Sequence, residues 1–215
     1  MKSYHNQRKI ALIFRYVLLA ILAVLWIFPI IWIILASFSY NNTGFVSTIW
    51  PDKFTWQNYI GIFTNSQYPF VNWVLNTLFV AVISATLSTF VTIAVAYVLS
   101  RLRFRFRKPF LQIALVLGMF PGFMSMIVYT ALTSFMAPWV DFIFSGIILS
   151  TSGNPKTYTV AYGLYNMVHS SKGMMAQFFT QFIAGCVVIA IPITILFIVM
   201  QKFYVNGITA GADKG

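Results

Sequence analysis

The chain contains no glutamate, and its only acidic side chains are Asp52, Asp141 and Asp213. That excludes the paired carboxylates of general acid–base hydrolysis. Histidine is nearly absent too. His5 and His169 stand far apart, so no metal-ligand spacing exists and no metal site is expected. The one cysteine, Cys186, lies inside an apolar run, which excludes a disulfide framework and reads as a small packing residue. No G-x-x-x-x-G-K-[ST] run occurs, so ATP is not held here by a phosphate loop. No catalytic residues are expected, and the chain does not read as an enzyme.

Charge is scarce as well. Only 8% of the 215 residues are charged while 60% are hydrophobic, against about a quarter charged in soluble domains. Most of such a surface faces something other than water, and the chain reads as an all-α, polytopic membrane protein. The net charge of +11 raises a nucleic-acid reading. The positive residues sit beside apolar runs, however, where they serve as topology signals and contacts for anionic lipid. No nucleic-acid partner is expected.

Three spans are plain: about 16–38 with Pro29 inside, 74–99, and 179–200 with Pro192 inside. Each has more than 20 uncharged residues, enough to cross with some tilt. The first resembles a signal peptide in its basic flank but is longer and has no Ala-x-Ala site, so it reads as a retained span. A polar, aromatic stretch separates spans one and two, and its Trp50, Trp56, Tyr59 and Tyr68 suit a membrane interface. Small residues four apart, Ala81/Ala85, Ser84/Ser88 and Gly118/Gly122, allow close helix approach and indicate a packed bundle without naming a function. The division expected is a cytoplasmic N-terminus 1–15, a first span 16–38, an external segment 39–73, a helical core 74–205 and a cytoplasmic tail 206–215.

Arg101, Arg103, Arg105, Arg107 and Lys108 follow the second span and act as topology anchors, placing both ends of the first hairpin in the cytoplasm. The run 109–149 is harder. Its 41 residues would reach roughly 60 Å as a helix, against a hydrocarbon core of about 30 Å. Crossing once or twice leaves the same balance, eleven positive charges inside and three outside, so charge does not decide. Asp141 within this run is costly at membrane depth and by default suggests a pathway or partner contact. With Trp139, Phe142 and Tyr129 it makes a candidate pathway for a polyhydroxylated ligand, since aromatic faces stack on C–H groups while a carboxylate bonds hydroxyls. The competing reading is an interfacial aspartate facing water at a helix end.

Several stretches in order carry a resemblance: "WIFPIIWIILASF" at 26–38, "FTWQNYIGIF" at 54–63, "NTLFVAVIS" at 76–84 and "AYVLSRLRFRFRK" at 96–108. "FMAPWVDFIFSGIIL" at 135–149, "TVAYGLYNM" at 159–167 and "GITAGADKG" at 207–215 complete the set. The chain resembles inner-membrane permease subunits of binding-protein-dependent ABC sugar importers, nearest the maltose/maltodextrin group. The resemblance implies a multi-pass protein of the bacterial cell membrane with both termini cytoplasmic. It also implies a second permease, two cytoplasmic ATPases that bind and hydrolyse ATP, and an extracytoplasmic sugar-binding protein. On this basis 39–70 and 150–178 would face the binding protein, and Gly211, Lys214 and Gly215 become candidates for contact with the ATPases.

One departure stands out. The family's coupling helix carries E-A-A…G…I-x-L-P between its fourth and fifth spans, and a chain without glutamate has no ordinary version of it. The text passes from "GMFPGFMSM" directly to "IVYTALTSFMAPWVDF", which resembles the start of the family's fifth span. The expectation is a junction near Met126/Ile127 where a fourth span and the coupling helix are lacking. The fused run would then cross a net single time, tilting, kinking at Pro121 and Pro138, or turning back on itself. Two competing functions remain: a non-transporting scaffold that binds the same partners, and an independent channel or carrier.

Overall fold

Helices of 2–37, 70–101 and 175–209 dominate the molecule, in a computed structural model that describes residues 2–40, 46, 48–51, 53–102, 108–109, 123–169 and 175–209. In chain order the elements are α1 (Lys2–Ser37), α2 (Gln57–Thr64), α3 (Phe70–Arg101), α4 (Phe123–Val140), α5 (Ile143–Leu149), a 3₁₀ turn (Pro155–Thr157), α6 (Val160–His169) and α7 (Met175–Thr209). Among the described residues there is no strand, only an isolated bridge between Ser39 and Phe54. The all-α membrane class read from composition therefore holds.

The three expected spans lie inside α1, α3 and α7, whose apolar portions are Leu12–Ser37, Phe70–Arg101 and Phe178–Lys202. These helices are apolar all round, the pattern of a span rather than of an amphipathic surface helix. Pro29 and Pro192 sit within continuous helix, as membrane helices tolerate. Hydroxyls in these helices are satisfied locally. In α3 Thr77, Thr86 and Thr92, and in α4 Thr133, each donate to the carbonyl four residues back at 2.8–2.9 Å, which removes the cost of a bare hydroxyl in lipid.

The long central run resolves into α4 and α5, bent by 59° where they meet. The break does not fall at Pro138, which stays within α4, but at Asp141 and Phe142. Ile127–Leu149 amounts to roughly 35 Å of helix, the length of one broken span, so the described residues hold three spans, or four counting this pair. The junction expected near Met126/Ile127 lies inside α4, which begins at Phe123. Pro121, Gly118 and Gly122 fall outside the described residues.

Burial concentrates at one end of the bundle. Ile62, Phe70, Trp73, Ala81, Trp139, Val160, Leu164 and Met167 form one core, so α2, the start of α3, the end of α4 and α6 meet there. The segments 39–73 and 150–178, expected as loops, contribute α2 and α6 to that core rather than lying free. Of the expected interfacial aromatics, Trp50 and Trp56 are exposed, whereas Tyr59 and Tyr68 are half-buried. Tyr59 donates to the Ser37 hydroxyl at 2.7 Å while Ser37 donates to the Ile34 carbonyl. Elsewhere α1 and the second half of α3 expose apolar side chains on nearly every face, far beyond what a water-facing monomer shows.

Candidate functional site

Three backbone locks fix the 154–160 segment against α3. The indole N–H of buried Trp73 donates to the Pro155 carbonyl at 2.7 Å. Asn76 donates to the carbonyls of Lys156 and Tyr158 at 2.8 and 3.0 Å. The fully buried Thr77 hydroxyl accepts the Val160 N–H at 2.8 Å, satisfying an amide that opens α6. These bonds place the α6 helix directly over the α4–α5 break.

At that break Asp141 is half-buried. Its Oδ1 accepts the Phe144 N–H at 3.1 Å and its Oδ2 accepts the Ser145 hydroxyl at 3.4 Å. An aspartate that starts a helix in this way satisfies amides left orphaned by the bend. Asp141 thus lies at a helix end, at the break between α4 and α5.

The four candidate pathway residues are not brought together. Trp139 is 3% exposed and belongs to the core. Its indole nitrogen has no hydrogen-bond partner among the described residues, and its ring packs near Phe135 at 6.2 Å. Tyr129 lies ten residues up α4, roughly 15 Å from Trp139, and is exposed. Phe142 alone stays beside Asp141. Of the anchors, Arg101 ends α3 and is exposed, as is Lys108. Arg103, Arg105 and Arg107 lie outside the described residues, as do Gly211, Lys214 and Gly215.

Phe142 has partners that sequence reasoning missed. Its ring stacks on Tyr165 at 5.3 Å and 21°, and Tyr165 stacks on His169 at 4.0 Å and 19°. Behind them Tyr162 lies near-parallel to Tyr165 at 6.5 Å, and Tyr158 meets Tyr162 edge-on at 4.8 Å. The spacing 158, 162, 165, 169 is a helical stripe that periodicity could have revealed. Phe142 and Tyr165 are 44% and 39% exposed, His169 is exposed, and Tyr162 is buried. His169 Nδ1 lies 3.0 Å from the Tyr165 carbonyl. A carbonyl only accepts, so Nδ1 is the donor in this contact.

A concavity of about 370 Å³ opens between α4 and α7 against Leu132, Met136, Val140, Phe197 and Met200. Its walls are almost wholly apolar. Such a groove suits hydrocarbon and not a hydroxyl-rich solute. Among the described residues no group of histidine, cysteine or acidic side chains is arranged to hold a metal ion.

No family model matches the chain. Among individual proteins, it is 27% identical to the galactooligosaccharides transport system permease protein GanQ of Bacillus subtilis (strain 168), over 97% of this chain and 98% of that protein. It is 25% identical to the maltodextrin transport system permease protein MalD of Streptococcus pneumoniae, over 99% of both. A third relative, the maltodextrin transport system permease protein MdxG of Bacillus subtilis, is 34% identical over 90 residues, 42% of this chain and 30% of that protein. GanQ and MalD, matched along nearly the whole length, are sugar transport permeases, in line with the resemblance read from the residues. The GanQ match runs over 282 positions against 215 residues here, so at least 67 of those positions have no counterpart in this chain.

Proposed function

We propose that this chain is the membrane permease subunit of an ABC importer for carbohydrate, of the maltose/maltodextrin-like oligosaccharide class. One observation carries the reading: the match to sugar permeases extends over nearly the whole of both chains. The multi-pass, apolar architecture supports it. The chain lies in the bacterial inner membrane with both termini in the cytoplasm. It forms the translocation pathway with a second permease, while two partner ATPases bind and hydrolyse ATP and an external binding protein delivers the sugar. Gly211, Lys214 and Gly215 face the ATPases, and the Asp141–Phe142 break faces the pathway.

The same reading includes a loss. The unmatched positions and the absence of glutamate together support the lack of a fourth span and of the coupling helix. A chain without that helix binds its permease partner but does not transmit ATP hydrolysis.

Co-expression with the second permease and the ATPase of the same system tests both statements. The expected result is co-purification with the second permease, with ATPase activity that sugar does not stimulate. Failure to co-purify overturns the permease reading. A stable complex with sugar-stimulated ATPase activity overturns the uncoupled state and leaves the permease reading standing. Orientation is read separately in a Cys186→Ser background: Thr157→Cys is labelled by an impermeant maleimide in intact cells, and Lys108→Cys only after permeabilisation.

A further inference from the structure

We propose that the α4–α5 break is a hinge: Asp141 and α6 hold the bent form, and release of their contacts lets 123–149 run as one straight helix. The backbone does not impose the bend. No proline or glycine occupies 139–145, and the N–H that Pro138 lacks belongs to the Ser134 carbonyl, a full turn before the break. Phe142, where α5 begins, has φ −103° and ψ −19°. A rotation of about 40° in φ and about 20° in ψ brings that residue to ordinary helical values.

Bending costs backbone bonds. The Ala137 carbonyl still receives the Asp141 N–H, and Phe142 receives Gly146. Among the described residues, the carbonyls of Pro138, Trp139, Val140 and Asp141 take no N–H from four residues ahead. A straight helix restores all four bonds, and groups left unmet at membrane depth are expensive. Side chains oppose this pull. Asp141 Oδ1 takes the Phe144 N–H and its Oδ2 takes the Ser145 hydroxyl. From α6, Tyr165 stacks on Phe142 at 5.3 Å. A methyl group at Gly146 would lie 3.2 Å from the Tyr162 ring, so α5 rests directly on α6 there. Bonds from Trp73, Asn76 and Thr77 fasten the start of α6 to α3. The span is thus bent by a helix of the 150–178 segment, and movement of that segment passes to α5.

Spin labels at Tyr129→Cys and Ile148→Cys, in a Cys186→Ser background and lipid nanodiscs, report the angle by double electron–electron resonance. Straightening a 59° bend between arms of about 19 and 10 Å lengthens their separation by about 3 Å. The parent should give the shorter distance. Asp141→Ala combined with Tyr165→Ala should move it to the longer one, and each alanine alone should do so in part. Asp141→Asn with Tyr165→Phe should not, because asparagine also starts helices and phenylalanine keeps the stack. Phe144→Pro added to the double alanine variant should return the shorter distance, since proline fits the first turn of α5 but not the interior of a continuous helix. An unshifted distance in every alanine variant, equal lengthening in the conservative pair, or lengthening that survives Phe144→Pro overturns the hinge. A broad distribution with no longer maximum describes a slack joint and overturns it as well.

Discussion

Gly163 sits in α6 where a methyl group would fall on the six-membered ring of Trp73. Substitution to alanine forces one of the two to move, and neither is free to do so. Trp73 is 1% exposed, lies in the core and is tethered to the Pro155 carbonyl. Overfilling a packed site costs about 1–3 kcal/mol, and stretching the tether about 0.5–1.5 kcal/mol more. Alanine returns about 0.8–1.0 kcal/mol in helix propensity. The net expectation for Gly163→Ala is destabilisation of about 1–3 kcal/mol, from the difference of these terms. Reversible unfolding of the purified chain by dodecyl sulfate in mixed micelles, followed by circular dichroism, would measure it. Trp73→Leu removes the obstructing ring at a cost of its own, and in that background the alanine should cost less by about 1 kcal/mol or more. Gly163→Ala within about 0.5 kcal/mol of the parent, or strict additivity with Trp73→Leu, would refute the steric argument.

Thr77→Val keeps shape but leaves the buried Val160 N–H without its acceptor. A loss of about 1–3 kcal/mol is expected in the same unfolding measurement, with Thr77→Ser recovering part of it. Asn58→Ala removes two donations at 2.9 Å to the carbonyls of Ser37 and Ser39. It should accelerate proteolysis within 39–56 while leaving the α7 span protected, since those bonds tie the end of α1 to α2. Asp141→Ala should cost about 0.5–2 kcal/mol through the lost helix start, and Asp141→Asn much less. Unfolding midpoints that rank the two equally would mean that the carboxylate acts other than by accepting the Phe144 N–H.

Membrane class and span positions were legible in the residues because a span announces itself by composition alone. An apolar run of sufficient length has few other stable uses. The segments between spans were not legible. α2 lies in the polar, aromatic stretch after the first span and α6 in the expected external segment 150–178, yet each buries one face, with Asn58 and Ile62 inward on α2 and Val160, Leu164 and Met167 inward on α6. Their short apolar stripes have no meaning until α3 and α7 supply the opposite wall. The same holds at the site. Trp139, Asp141 and Phe142 are neighbours in sequence, but a break in the helix turns Trp139 into the core and leaves Phe142 against Tyr165, 23 positions away. Local spacing carries no information on which side of a bend a ring will fall.

The distribution of burial bears on how the chain works. α1 is tied to the rest mainly at its C-terminal end, where Ala36, Ser37 and Ser39 are buried. Over Leu12–Ser37 its span is otherwise uncovered. Lipid tails are as apolar as these side chains, so nothing but packing holds such a helix to its neighbours. α3 shows the same polarity, with Phe70, Trp73, Thr77 and Ala81 buried and none beyond. The bundle is thus rigid at the end that bears the α4–α5 break and open at the other. The α4–α5 break lies on the best-packed part of the molecule, near the segment that Trp73, Asn76 and Thr77 hold. Motion imposed at the open end, near Arg101, starts roughly 36 Å along α3 from Thr77. Mutations at Thr77 and Gly163 should therefore lower stability, whereas changes near Arg101 should leave it little altered.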